Sequence, residues 1–323
     1  MSFIIRLQPS NIQFSAIENS TILDSALNAG IILEHSCKNG SCGLCSSKIV
    51  SGEVISQEGN KYTQGQVFLT CQCKPTSELV IEAEYYPELS AVTRKVTPCK
   101  VVSIDKDDQF AILKFRLPPT TGLNYLPGQY INLSYQGVTR SYSIANANIS
   151  DGLELHIRRV PNGSMSELLF SDIKIDALMR IDGPIGTFFI REDSRPIIFL
   201  AGGTGFAPVK AMVESLISQG SSREISIYWG MNCSSDFYSA LPIEWASEFK
   251  NITYIPVVSG DDPEWKGRRG LVHQAVLNDI KDMSIHCVYA CGSPQMIAAA
   301  KQDFVNVGLS EKQFFSDAFT AFK

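Results

Sequence analysis

No stretch of this 323-residue sequence is apolar for the ~18 residues that a membrane-spanning helix needs; the best candidate, PIIFLAGG, breaks at glycine. The opening MSFIIRLQPSNIQF has no basic region ahead of an apolar run, so no signal peptide is expected and the expected location is cytoplasmic. Charge of one sign is also lacking. Against 28 Lys and Arg stand 33 Asp and Glu, a net of −5, and no basic patch occurs, which argues against nucleic acid as a partner. Histidine is scarce. Of the four, only His35 stands near a cysteine cluster, whereas a Rieske centre would need two histidines in place of two cysteines. His156, His273 and His286 read as structural or surface residues.

Cysteine, by contrast, is abundant, with nine in a chain expected to sit where thiols stay reduced. Three fall in HSCKNGSCGLC: Cys37, Cys42 and Cys45 have the spacing C-x4-C-x2-C, and Cys71 follows in FLTCQC. That is the plant-type spacing for a [2Fe–2S] cluster, with an expected potential on the order of −400 mV. Three thiolates from one loop require it to curl tightly, and Gly40 and Gly43 supply the left-handed backbone that lets N–H groups face the sulfurs. Zinc is the rival, but structural zinc sites pair two short Cys hairpins, and no second C-x2-C is present. Cys73, two residues beyond Cys71, would share its face on a strand and is the competing ligand. Cys99, Cys233 and Cys287 read as small buried residues.

Length and patterning point to more than one domain. Residues 1–90 combine short strands with one helix, STILDSALNAG, capped by Thr21 with Asp24 three residues on and ended by Gly30, with a polar, Pro-bounded linker, YYPELSAVTRKVTP, beginning at their end. Residues 91–193 carry short, regularly spaced strands, the pattern of a closed antiparallel barrel. Residues 194–323 alternate continuous apolar strands with helices, the pattern of a doubly wound parallel sheet.

Two groups of residues suggest ligands. In TRSYSIAN, Arg140 and Tyr142 share a strand face beside Ser143, which suits a phosphate-bearing planar ligand such as a flavin. RRVPNGSMSELL adds glycine and a helix start at Met165 and Ser166, where N–H groups can take a pyrophosphate. In FLAGGTGFAPV, Gly202, Gly203 and Gly205 follow a buried strand and open a helix. The loop is no P-loop, because no Lys-Ser/Thr follows. YACGSP ends a later strand and brings Cys291 and Gly292 to the same carboxyl edge, where such sheets bind nucleotides.

In this order, the ferredoxin loop, R-x-Y-S, GGTGxAP and C-G-x-P resemble the ferredoxin–NAD(P)H reductase superfamily over essentially the whole chain, and within it the three-domain iron–sulfur flavoprotein reductases. With LTCQC, YYPEL and FFSDAF, the sequence is similar to the CDP-6-deoxy-Δ3,4-glucoseen reductase group. The resemblance implies a multidomain α+β, β-barrel and α/β fold: a β-grasp ferredoxin domain, a six-stranded antiparallel flavin-binding barrel and a doubly wound parallel nucleotide-binding sheet. It implies FAD held by Arg140, Ser141, Tyr142, Ser143, Ile157, Arg158, Gly163, Met165 and Ser166. It implies a pyridine nucleotide at Gly202, Gly203, Thr204, Gly205, Ala207, Pro208, Cys291, Gly292 and Pro294, with Phe319 near the ring and Ser143, Cys291 and Asp317 as catalytic residues. Asn232, where many relatives carry arginine, and the acidic Asp236 favour NADH over NADPH. The implied route runs from NADH through FAD and the [2Fe–2S] cluster to a partner protein, a pyridoxamine-phosphate-dependent CDP-6-deoxyhexose 3-dehydrase of dideoxysugar and lipopolysaccharide synthesis. Two other readings differ in kind. One is the reductase component of a diiron or Rieske oxygenase; the other is a noncatalytic iron–sulfur or zinc module, which the absence of flavin colour would reveal.

Overall fold

Alternation of buried and exposed residues sets the first sheet. In Ser2–Gln8, Ile5 and Leu7 are fully buried, and in Gln13–Ile17, Phe14 and Ala16 face the same core. A computed structural model describes residues 2–35, 38–40, 43–171 and 173–319. Its five-stranded sheet runs Gln13–Ile17, Ser2–Gln8, Leu79–Glu82, Ser46–Ser51, Val67–Leu69, with only Ser2–Gln8 and Leu79–Glu82 parallel. The one helix packed on it, Ile22–Asn28, begins and ends as the sequence predicts. The Thr21 hydroxyl accepts from the Asp24 N–H at 3.0 Å and donates to the Asp24 carboxylate at 2.7 Å, while Gly30 leaves the helix in the left-handed conformation. Mixed strands around one helix make the β-grasp expected of the ferredoxin part.

The chain forms two compact units, one ending at Thr93 and the other beginning at Arg94. The second unit holds two sheets. The six barrel strands lie in the order Val138–Ser143, Tyr130–Tyr135, Leu178–Ile185, Lys95–Lys106, Phe110–Arg116, Leu153–Arg158, all antiparallel. A bridge between Ile144 and Leu155 nearly closes the barrel by joining its two edges. Lys95–Lys106 starts inside the stretch that reads as linker, because Thr97, Cys99 and Val101 alternate into the barrel core in spite of the polar sequence around them.

The third sheet is parallel, in the order Arg268–Arg269, Ile252–Val258, Ile225–Met231, Ile197–Gly202, Cys287–Gly292, Phe314–Ala318. Ile197–Gly202 is buried along nearly its whole length because apolar clusters cover both faces: Phe199 and Ala201 point to one, Ile198 and Leu200 to the other. Successive strands run one way from Ile197–Gly202 and the chain then returns to its other side. The reversal therefore falls between Ile197–Gly202 and Cys287–Gly292, a topological switch point. Tyr228 and Trp229, in the middle of Ile225–Met231, are core residues.

Candidate functional site

In the ferredoxin unit the Sγ atoms of Cys45 and Cys71 stand 3.1 Å apart. Lys38, Gly40 and Gly43 all have positive φ (58°, 84° and 71°), the left-handed backbone that a tightly curled loop needs. The Cys71 thiol is lowered to about 6: the hydrogen bond from Cys45 acts first, burial opposes it, and the Gln72 amide and the Gly40 N–H assist. Convergent thiols, a lowered sulfur and inward N–H groups fit a thiolate-bound cluster. Cys37 and Cys42 lie outside the described residues. Cys71 sits in a turn rather than on a strand, so the expectation that Cys73 shares its face does not apply. Cys73 instead opens the strand Cys73–Pro75 within the hydrophobic core, and burial pushes its thiol up to about 11.

Gln72 is a residue that the sequence did not single out. Its Nε2 lies 3.3 Å from the Lys38 carbonyl oxygen and 3.4 Å from Cys71 Sγ, tying the loop to the turn. Because an outer-sphere partner commonly changes metal affinity by about 10- to 100-fold, Gln72→Ala is expected to lose iron to a chelator faster by a factor in that range. The time course of visible absorption under ferrozine measures it.

In the barrel, Arg140 and Tyr142 do share a face of Val138–Ser143 and are half-buried, while Ser141 is exposed on the other. Ser141 is engaged by Asn132, its Oγ lying 2.7 Å from Asn132 Oδ1. Ser143 is 6% exposed. Among the described residues its hydroxyl has no hydrogen-bond partner, a donor left available at the strand end. Ile157 points into the barrel core and Arg158 to the surface. The helix Ser164–Ser171 starts with first-turn N–H groups that lack acceptors within the helix. Ser166 Oγ accepts from the Val160 N–H at 2.9 Å, and a Cβ on Gly163 would lie 3.0 Å from the Val160 carbonyl oxygen; both residues shape the turn that presents those N–H groups. Met165 is buried. An available hydroxyl, a basic residue and an aromatic on one strand, together with a helix start, fit a flavin diphosphate.

At the switch point the glycines divide into two kinds. A Cβ on Gly205 would lie 2.1 Å from the Cys291 carbonyl oxygen, so this glycine lets the loop pack backbone to backbone on the neighbouring strand end, while one on Gly202 would lie 2.7 Å from Met296 Sδ and so makes room for that side chain. Gly292 likewise faces Met296 and Gly202. Gly203 is different. It is left-handed (φ 58°) and open, with Arg158 Nη1 the nearest atom to its virtual Cβ at 3.9 Å. The barrel's Arg158 and the nucleotide loop thus meet. Trp229, fully buried, donates its indole N–H to the Gly203 carbonyl at 2.9 Å and stacks on Phe206 at 4.1 Å. Thr204 is half-buried, whereas Ala207 and Pro208 are buried beneath the loop. Pro294 begins the helix Pro294–Asn306, capped by Ser293.

Cys291 presents its backbone to the edge, but its side chain is fully buried, and burial, with the Asp317 carboxylate adding, holds the thiol well above its ordinary range. It is therefore a neutral thiol. Asp317 pairs in register with Cys291 and is buried, and the Phe319 N–H donates to the Gly292 carbonyl at 2.9 Å with its side chain partly exposed. The C-terminal strand thus lies alongside the cleft. Asp236 is turned inward: buried, it accepts from the Cys233 N–H at 3.4 Å and does not face an open ribose site. That removes one of the two grounds for preferring NADH. Nearby, Arg268 pairs with Asp279 at 2.5 Å, and Arg269 bonds the Asp262 and Trp265 carbonyls.

The chain matches three families: 2Fe-2S iron-sulfur cluster binding domain over residues 5–76, oxidoreductase FAD-binding domain over 95–190, and oxidoreductase NAD-binding domain over 199–302. It is 58% identical to Protein RfbI of Salmonella typhimurium, over 99% of this chain and 98% of that one. It is 52% identical to CDP-6-deoxy-L-threo-D-glycero-4-hexulose-3-dehydrase reductase of Yersinia pseudotuberculosis, over the full length of both. With reductase component 2 of terephthalate 1,2-dioxygenase from Comamonas the identity is 32%, over 99% and 98%. Among solved structures, the Amycolatopsis cytochrome P450 reductase GcoB superposes with a TM-score of 0.77 at 25% identity, covering 99% of each chain. No helix among the described residues is long and apolar enough to cross a membrane.

Proposed function

The chain belongs to the iron–sulfur flavoprotein reductases, with [2Fe–2S], FAD- and NAD-binding parts, and from that premise we propose that it draws electrons from NADH and delivers them through flavin and cluster to a pyridoxamine-phosphate-dependent CDP-6-deoxyhexose 3-dehydrase in the cytoplasm. The observation that carries this reading is the identity gap: 52% to a dehydrase reductase against 32% to a dioxygenase reductase, both over essentially the whole chain.

When bound, a flavin accepts the two electrons of a hydride and releases them singly, as a one-electron iron–sulfur centre requires. The protein's own residues bind and orient. Arg140 and the start of Ser164–Ser171 would hold the flavin's diphosphate, Tyr142 would lie against its ring system, and Ser143 would donate to a ring nitrogen. Gly203 and Thr204 would meet the dinucleotide at the switch point, with the Cys291–Asp317 pair and Phe319 closing the nicotinamide side. Cys37, Cys42, Cys45 and Cys71 would hold the cluster. NADH is favoured over NADPH because Asn232 follows Ile225–Met231 and the two nearby arginines are already engaged.

The test is anaerobic NADH titration of the purified protein followed by absorption and low-temperature EPR. Bleaching of the flavin bands with a rhombic [2Fe–2S] signal is expected. Turnover with the sugar dehydrase supports the pathway; turnover only with a diiron or Rieske hydroxylase would move the protein to the oxygenase reductases. Flavin bleaching without a cluster signal would overturn the electron route.

A further inference from the structure

Behind the nucleotide loop one lysine joins the elements that carry the two halves of the proposed hydride site. Lys210 lies on the helix Phe206–Ser218, five residues beyond Gly205, and is only 6% exposed. Its ammonium stands 3.0 Å from Glu154 Oε1 and 2.6 Å from Glu214 Oε1, and donates to the Ala145 carbonyl at 3.1 Å, so all three of its protons are directed. Ala145 is two residues past Ser143. Glu214, from the same helix, accepts the Ala147 N–H at 3.1 Å. Glu154 belongs to the barrel strand Leu153–Arg158, whose last residue approaches Gly203.

Glu154 is further fixed. Its Oε1 takes the His156 Nε2–H at 2.9 Å, His156 Nδ1 meets the Tyr238 hydroxyl at 3.1 Å, and the Tyr238 ring packs edge-on to Trp229 and Phe206. Lys114 lies 3.5 Å from its other oxygen. Although burial alone would raise it, the bond from His156 and the charge of Lys210 bring the Glu154 carboxyl down to about 2.

A buried cation is a poor source of net stability, since desolvation offsets most of its attraction; apolar side chains of the same volume commonly do as well. What the arrangement supplies is direction: two of the three bonds from one atom leave the helix that follows GGTG, one for Glu154 on the barrel strand and one for the Ala145 carbonyl just past Ser143. We propose that Lys210 is a positioning residue for hydride transfer, setting the spacing between nicotinamide and flavin by bolting the loop-bearing helix to the barrel through Glu154 and Ala145. This rests on the reductase reading above.

The test uses the holoprotein. Lys210→Met alone strands the buried Glu154 carboxylate, so it is paired with Lys210→Met/Glu154→Gln, which removes the two buried charges together and leaves Glu214, whose side chain is 29% exposed, to solvent. In the double variant, FAD content and Tm are expected to stay at the parent's values and the KM for NADH to change little. Stopped-flow flavin bleaching at saturating NADH is expected to slow by about 10- to 100-fold, the usual cost of misplaced reactants. Lys210→Arg, which keeps the charge but not the three-way geometry, is expected to fall between. A double variant that bleaches as fast as the parent overturns the positioning role, as does slowing that tracks loss of FAD. A parent protein that NADH does not bleach overturns the reductase reading and this inference with it.

Discussion

Cys45→Ser is expected to abolish the iron–sulfur EPR signal and to lower electron delivery to the partner enzyme by about 100-fold, while NADH-dependent ferricyanide reduction, taken directly from the flavin, stays near the parent rate. The basis is the 3.1 Å separation of the Cys45 and Cys71 sulfurs, which brings two ligands to one point. Serine offers a harder and shorter donor that suits iron–sulfide chemistry poorly. Iron content, EPR and the two activities together decide the matter. Retention of the cluster in Cys71→Ser would transfer the ligand role to Cys73. Cys73→Ser is the matched control: its thiol shares the core with Cys45 and Cys71 but is pushed up by burial rather than lowered by a second sulfur, so the variant is expected to keep the cluster and to lower stability by about 1–3 kcal/mol for a buried hydroxyl.

Gly205→Ala is expected to reduce kcat/KM for NADH by about 100-fold, the scale of an ångström's misplacement at a reaction site. The new methyl would meet the Cys291 carbonyl at 2.1 Å, and that atom is backbone in a fully buried strand, so the two strand ends must part. Gly203→Ala provides the contrast. There the methyl has room, and the cost is the left-handed backbone, about 1–2 kcal/mol. Steady-state kinetics with NADH and thermal unfolding, run on both variants, separate the two effects: the first should lose turnover out of proportion to stability, the second should lose a little of each. Equal kinetics in Gly205→Ala and the parent would mean that the switch point is not where the nucleotide binds.

The residues legible in the sequence were those whose partners are near in sequence or whose spacing is itself the constraint. Thr21 caps at Asp24, three residues on; the cysteine spacing states its chemistry; the glycines lie where buried strands end. Illegible were the residues that act across the fold. Gln72 reaches Lys38, Lys210 reaches Glu154, and Trp229 holds Gly203 only because Ile225–Met231 is laid beside Ile197–Gly202. Asp236 misled for a related reason. An acidic residue just past a strand end resembles a ribose ligand, but its direction is set by the turn it caps. The sheet order could not be read from pattern alone, and neither could every strand: Leu178–Ile185, Arg268–Arg269 and Phe314–Ala318 gave no signal of their own.

The chain has three tryptophans, and Trp229, Trp245 and Trp265 all fall after residue 194. Trp229 is buried beneath the nucleotide loop, stacked on Phe206 and bonded to Gly203. Tryptophan emission in this protein is therefore an optical label confined to the part of the chain that follows residue 194. Emission will follow melting and occupancy there, and the ferredoxin unit, which has no indole, can unfold without changing it.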